Sequence, residues 1–273
     1  MSASAARIDQ LPHALRDGEQ LERRLASRRP AVFLDYDGTL TPIVERPEDA
    51  VIAESMREAV RGLAARCSVC VVSGRDRRVV QELMGIDDLI VAGSHGFDIW
   101  SPSEGTLRHS AGSGFEPLIQ RVTEQLRAEA GAIEGSLVEP KKASVALHYR
   151  RVAEAERPKV SAIVDGLLAE YAGELKVTPG KMVFELQPKL DWDKGKAVLY
   201  LLQALDLDHE DVIPLYIGDD VTDEDAFEAL ADRGIGIFVG RADDPEVAGR
   251  DTHAAFVLDS TEEVERFLDT LAR

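Results

Sequence analysis

Ala31-Val32-Phe33-Leu34-Asp35-Tyr36-Asp37-Gly38-Thr39 is a short apolar run that breaks off into two aspartates, a glycine and a threonine. Four apolar residues in a row, with no polar alternation, suit a strand covered on both faces, as in a parallel sheet. The polar residues that follow then form a loop at the strand's carboxyl end. The figure recurs. Val69-Cys70-Val71-Val72 ends in Ser73-Gly74-Arg75, Leu89-Ile90-Val91-Ala92 in Gly93-Ser94-His95-Gly96, and the run 213–217 in Gly218-Asp219-Asp220. Amphipathic stretches at about 55–66, 77–84 and 194–205 predict helices between these runs, and such alternation predicts a parallel α/β sheet. A further run at 235–239 and helices beginning near Glu224 and Thr261 continue it. Leu11, Leu15, Leu21 and Leu25 predict a surface helix ahead of the first strand. Pro214 has no N–H to give a ladder, so its strand is expected to start at or just after it.

The middle of the chain reads differently. Helical stretches at 115–130 and 153–171 alternate with strand-like pieces at 136–139, 144–150, 175–178 and 182–186, and Thr178-Pro179-Gly180-Lys181 carries hairpin chemistry. The order α-β-β-α-β-β predicts a small antiparallel sheet with helices on one face. The expected organisation is therefore α/β: a Rossmann-like parallel-sheet core from 1–109 and 187–273, with an α+β cap domain inserted at 110–186.

The 273 residues include 32 Lys+Arg against 50 Asp+Glu, a formal charge of −18, with 44% hydrophobic residues. That is ordinary globular composition, and the length can bury a sizeable core. The acidic balance argues against nucleic acid, whose backbone needs a basic face. A small anionic ligand is still compatible, because a local lysine cluster and a metal ion outweigh distant charge. No stretch reaches the ~20 apolar residues of a membrane helix. The first twenty residues lack the apolar stretch of a secretory signal. A cytoplasmic monomer without a membrane partner is expected. Cys67 and Cys70 have no second pair to complete a zinc site, and their spacing along a strand points them to opposite faces, as buried thiols.

Ligands of open parallel sheets bind beyond the carboxyl ends of the strands. Asp35, Asp37, Ser73, His95, Asp219 and Asp220 are thus expected to meet at one edge. Carboxylates gathered at one point repel unless a cation sits among them or some hold protons, and oxygen donors without His or Cys favour Mg²⁺. Other readings of the same residues fail. A calcium loop started at Asp35 would put Leu40 where glycine is required and Arg46 where glutamate is required. Val71-Val72-Ser73-Gly74-Arg75 is not a nucleophilic serine elbow. No G-x-x-x-x-G-K-[ST] is present.

Asp35-Tyr36-Asp37-Gly38-Thr39, Ser73, Lys194 and Gly218-Asp219-Asp220, in that order, resemble the four-motif signature of the haloacid dehalogenase superfamily. Within it, Glu139-Pro140-Lys141, Ala146-Leu147-His148-Tyr149-Arg150, Gly180 to Glu185, Asp193 to Ala197 and Gly218 to Glu224 closely resemble the trehalose-6-phosphate phosphatases. Asp98 departs from that pattern, standing where glutamate is more usual. The resemblance implies a Mg²⁺-dependent phosphatase acting on a sugar phosphate, with Asp35 as nucleophile and Asp37 as acid and base. It implies metal ligation by Asp35, the Asp37 carbonyl and Asp219, and phosphoryl binding by Ser73 and Lys194. Asp220 and Asp223 would support these groups, Asp223 by orienting Lys194. Gly74, Arg75, His95, Lys141, Lys181 and Glu185 would contact the substrate.

Overall fold

The computed structural model describes residues 5–26, 28–44, 46–107, 114–180, 182–245 and 247–273. In chain order its elements are β1 (Ala6–Arg7), α1 (Gly18–Leu25), β2 (Arg29–Leu34), α2 (Glu54–Ala64), β3 (Ser68–Val72), α3 (Arg77–Met84), β4 (Ile90–Gly93), β5 (Asp98–Ser101) and β6 (Gly105–Leu107). There follow α4 (Glu116–Ala130), β7 (Leu137–Pro140), β8 (Val145–His148), α5 (Arg157–Glu170), β9 (Leu175–Gly180) and β10 (Val183–Pro188). The last are α6 (Lys194–Ala204), β11 (Val212–Gly218), α7 (Glu224–Leu230), β12 (Ile235–Val239), β13 (Asp251–Thr252), β14 (Phe256–Leu258) and α8 (Thr261–Leu271). Two compact units result, Met1–Leu107 with Asp193–Arg273, and Arg108–Trp192. The boundary expected near 109 lies outside the described residues.

The first unit is built on an eight-stranded sheet ordered β14-β12-β11-β2-β3-β4-β5-β6. The six strands from β14 to β4 are parallel to their neighbours. Alternate side chains of each strand go to opposite faces. Val32, Leu34, Val71, Leu215 and Ile217 join α2, α3 and α8 in one core. Phe33, Cys70, Val72, Tyr216 and Phe238 join α6 and α7 in the other. The cysteines follow the same rule: Cys70 lies in the second core and Cys67 packs against the first. Burial raises both thiol pKa values, so both stay protonated.

Three sequence expectations need correction. The N-terminal helix begins only at Gly18, and Ile8–Gln10 is a separate turn of 3₁₀ helix. Buried His13 takes the place of a helical turn there: its Nδ1 accepts from the N–H groups of Leu15 and Arg16 at 3.2 Å each. Pro214 sits third in β11 and pairs with Ala31. A Cβ built on Gly234 would lie 2.6 Å from the Pro214 carbonyl, which places the proline nitrogen on the β12 side. Pairing with β12 starts only at Leu215, so no ladder bond is lost. Finally, β5 and β6 extend the sheet as an antiparallel edge that the apolar runs did not announce.

The second unit is an antiparallel sheet ordered β7-β8-β10-β9. Val145, Leu147 and Leu186 cover one face together with Leu118, Val122 and Leu126 of α4 and Val160, Val164 and Leu167 of α5. Helices on one face of a small antiparallel sheet is the arrangement the α-β-β-α-β-β order predicts. Gly180 pairs with Val183 at the β9–β10 hairpin.

Candidate active site

Parallel neighbours β11, β2, β3 and β4 end side by side, so the loops after them share the carboxyl edge of the sheet. Asp35 follows β2 and is buried, with its N–H donated to the Ile217 carbonyl of β11 (2.9 Å). Lys194 opens α6, whose N-cap Asp193 accepts from the Lys196 N–H at 2.8 Å. A cation at a helix N-terminus opposes the helix dipole. Here two carboxylates answer it: Lys194 Nζ donates to Asp35 Oδ1 at 2.9 Å and to Asp223 Oδ1 at 2.7 Å. Lys194 is 3% exposed, and although burial alone would lower its pKa, these two partners raise it, so the ammonium stays charged.

Asp223 is the hub. Its Oδ1 also accepts from the Tyr216 hydroxyl at 2.6 Å, and its Oδ2 accepts the N–H groups of Asp219 (3.0 Å) and Asp220 (2.9 Å). Four donors fill the roughly four acceptor positions of a carboxylate. Asp220 caps the short turn that follows, accepting from the Val221 N–H at 2.7 Å. The loop carrying Asp219 is thus fixed by Asp223.

Carboxylate oxygens of Asp35, Asp219 and Asp223 lie within 4.8 Å of one another. Asp223 is fully committed, but Asp219 Oδ1 is buried without a hydrogen-bond partner. Gly38, at φ +79°, lets the turn after Asp37 approach so closely that a Cβ there would overlap the Asp219 carboxylate. Burial, opposed by Lys194 and reinforced by Asp223, raises Asp35. Burial and then repulsion from Asp35 raise Asp219. A buried acceptor without a donor, beside a second buried carboxylate and with no His or Cys in the group among the described residues, fits a hard divalent cation held by Asp35 and Asp219.

Asp37 is 39% exposed at its side chain and lies in the Arg75 fork, where Nε donates to Oδ2 and Nη2 to Oδ1, each at 2.6 Å. Ser73 is buried, and its Oγ accepts the Arg75 N–H at 3.1 Å. The loop after β4 is bound onto this one: the Ser94 N–H donates to the Arg75 carbonyl (2.7 Å) and the His95 N–H to the Ser73 carbonyl (2.8 Å). Ser94 and His95 both have left-handed backbones, φ 51° and 56°. Gly74 makes room for the imidazole, since a Cβ there would lie 2.8 Å from His95 Cε1. Asp98 faces Arg77 at 3.1 Å in a buried ion pair.

In the second unit Lys141 and Glu185 do meet, Nζ to Oε1 at 3.2 Å, and Ser144 Oγ donates to the same oxygen at 2.6 Å. Lys181 lies outside the described residues. One contributor, Tyr216, is not marked by any motif in the sequence. Tyr216 reads as one more apolar strand residue, and its only signal is a hydroxyl in an otherwise aliphatic run, two positions before Gly218. Arg75, expected to contact the substrate, pairs with Asp37.

A sequence profile described as trehalose-phosphatase matches residues 33–261. The trehalose-phosphate phosphatase of Mycobacterium tuberculosis is 41% identical over 268 residues, covering 98% of this chain and 67% of that protein. The trehalose 6-phosphate phosphatase RA3 of Zea mays is 40% identical over 280 residues, covering 97% and 76%. The C-terminal domain of trehalose-6-phosphate phosphatase from C. albicans superposes with a TM-score of 0.76 at 25% identity, covering 96% of this chain and 98% of that one.

Proposed function

The chain belongs to the trehalose-phosphatase family, and from that premise we propose that it hydrolyses trehalose 6-phosphate to trehalose and phosphate through an aspartyl-phosphate on Asp35. The observation that carries the reading is the buried group at the sheet's carboxyl edge, in which Lys194 joins Asp35 to Asp223 and Asp219 is left with an unsatisfied oxygen. An all-oxygen donor set supports Mg²⁺ as the metal. It would be held by Asp35, Asp219 and the Asp37 carbonyl, and when bound it offsets the repulsion between an anionic nucleophile and an anionic phosphate.

The chain's own residues do the rest. Lys194 holds Oδ1 of Asp35, which leaves the second oxygen for attack on phosphorus. As that bond forms, the bond from phosphorus to the sugar oxygen breaks, and Asp37 gives the departing oxygen its proton. Asp37, now ionised, takes a proton from the water that attacks the phosphorus. The bond to Asp35 breaks, phosphate leaves and both carboxyl groups return to their starting forms. Ser73 and Lys194 bind the phosphoryl oxygens and counter their charge, the main demand of phosphoryl transfer. Lys141 and Lys181 would contact phosphate or sugar hydroxyls, Glu185 would accept from sugar hydroxyls, and His95 would contact the substrate.

The test is phosphate release from trehalose 6-phosphate, with and without Mg²⁺, against the phosphates of sucrose, glucosylglycerate and mannosylglycerate. Trehalose 6-phosphate is expected to be cleaved fastest and only with the metal. Another phosphosugar cleaved a hundredfold faster would overturn the substrate, and equal rates without any divalent ion would overturn the metal.

A further inference from the structure

We infer that Arg75 is a positioning residue that aims Asp37, rather than a ligand for the substrate. The inference rests on the reading of Asp37 as acid and base. Asp37 follows the buried Asp35 but is itself on the open side, in a turn closed by the Gly38 N–H donating to the Thr41 carbonyl at 2.8 Å. A half-exposed aspartate in such a turn can take several rotamers, and most of them point its proton away from any one leaving oxygen. Efficient proton transfer needs the carboxyl held within hydrogen-bond reach of that oxygen.

Arg75 supplies the restraint. Nε and Nη2 grip the two Asp37 oxygens at 2.6 Å each, a planar fork that fixes direction as well as distance. The guanidinium is itself held from two further directions. Nη1 donates to the Pro47 carbonyl at 2.7 Å, and the group lies 5.6 Å from the centre of the Tyr36 ring. Tyr36 is buried, and its hydroxyl donates to the Ala50 carbonyl at 2.6 Å, so that platform is rigid. The Arg75 backbone is pinned on both sides, its N–H by Ser73 Oγ and its carbonyl by the Ser94 N–H. Together these contacts hold the side chain against Asp37, and three of its five N–H groups are committed. A lysine could supply the charge there but not the fork.

The consequence is specific to the leaving group. A sugar alkoxide leaves poorly and needs the proton of Asp37, whereas p-nitrophenolate leaves without one. Arg75→Ala is therefore expected to lower kcat for trehalose 6-phosphate by about a hundredfold and kcat for p-nitrophenyl phosphate by less than about fivefold. Inhibition by inorganic phosphate should be unchanged. Arg75→Lys should recover only a minor part of the loss. On an Asp37→Asn background, adding Arg75→Ala should cost almost nothing more, because both changes disable one function. Equal losses on both substrates, weaker phosphate inhibition, full rescue by lysine or an additive double variant would each overturn the inference. If Arg75→Ala does not fold, judged by its melt, Arg75→Gln is read by the same ratios. The reading of Asp37 fails separately: in that case Asp37→Asn alone would slow both substrates equally.

Discussion

The two units divide the protein's charge unevenly. The unit that carries Asp35 has 38 Asp+Glu against 20 Lys+Arg, while the inserted unit has 12 of each, so the whole −18 resides on the first. Their polar groups differ in kind as well. In the first unit Lys194, Asp35, Asp223 and Tyr216 are buried and hold one another in place. In the second, the polar pairs lie on partly open strands, as with His148 Nε2 and Glu139 Oε2 at 2.7 Å, or Lys141 with Glu185. A buried network cannot lose one member without stranding the others, whereas a surface pair can be exchanged cheaply. On the proposed reading, chemistry belongs to the buried network of the acidic unit, and sugar preference to side chains that can be exchanged.

The sharpest way to break this contrast is Lys194→Ala. It leaves two buried carboxylates without their cation, a change that destabilises by about 3–5 kcal/mol. Phosphate release should vanish and the melting temperature should drop. A variant that melts like the parent would show that the network does not stabilise the unit.

The acidic site itself gives a pH signature. Asp35 is raised from 3.8 to about 7 and Asp219 from 3.8 to about 9 in the folded chain, mainly by burial. Between the unfolded value and these folded values, the native protein holds protons that the unfolded chain has released. Stability of the metal-free protein therefore falls as pH rises from about 4 through that window. Thermal melts in chelator should show that slope, Asp219→Asn should reduce it, and saturating Mg²⁺ should flatten it. A metal-free melting temperature that rises from pH 5 to 8 would contradict this origin.

The inserted unit should respond more mildly. Glu185→Gln or Lys141→Ala is expected to raise KM for trehalose 6-phosphate by about tenfold, the equivalent of about 1.4 kcal/mol. The melting temperature and the rate on p-nitrophenyl phosphate should hold. A loss confined to stability would make the pair a structural one.

The smallest kinetic effect belongs to a buried group far along the chain from these motifs. His13 Nε2 donates to Glu263 Oε2 at 2.8 Å, and Glu263 also accepts from the Asp259 N–H at 2.8 Å. These bonds outweigh burial and lower the Glu263 pKa, so their stabilisation is present above the unfolded value and lost as pH falls through the folded one. His13→Ala should cost about 1–3 kcal/mol in a denaturant melt and leave phosphate release unchanged.

Much of the first unit could be read from sequence, because a buried parallel strand is a continuous apolar run and its functional loop begins where the run stops. Asp35, Ser73, His95 and Asp219 announce themselves that way. Edge strands lack this signal: Asp98-Ile99-Trp100-Ser101 is short and mixed, and only its pairing with β4 makes it a strand. Pro214 misleads because proline's cost depends on which side its nitrogen faces, which a linear sequence does not show. The roles of His13 and Tyr216, and the pairing of Arg75 with Asp37, are hidden for a related reason. Each side chain acts through a partner on another element, at residue 263, 223 or 37, and no local pattern names that partner.

The proposed transfer of the phosphoryl group to Asp35 has a direct test. The enzyme is mixed with phosphate-labelled trehalose 6-phosphate and Mg²⁺, quenched in acid within one turnover, and digested. Label is predicted on the peptide containing Asp35, removable by hydroxylamine and absent in Asp35→Asn. Full-rate release of labelled phosphate with no protein-bound label at any time, in the parent or in the slower Asp37→Asn variant, would contradict it.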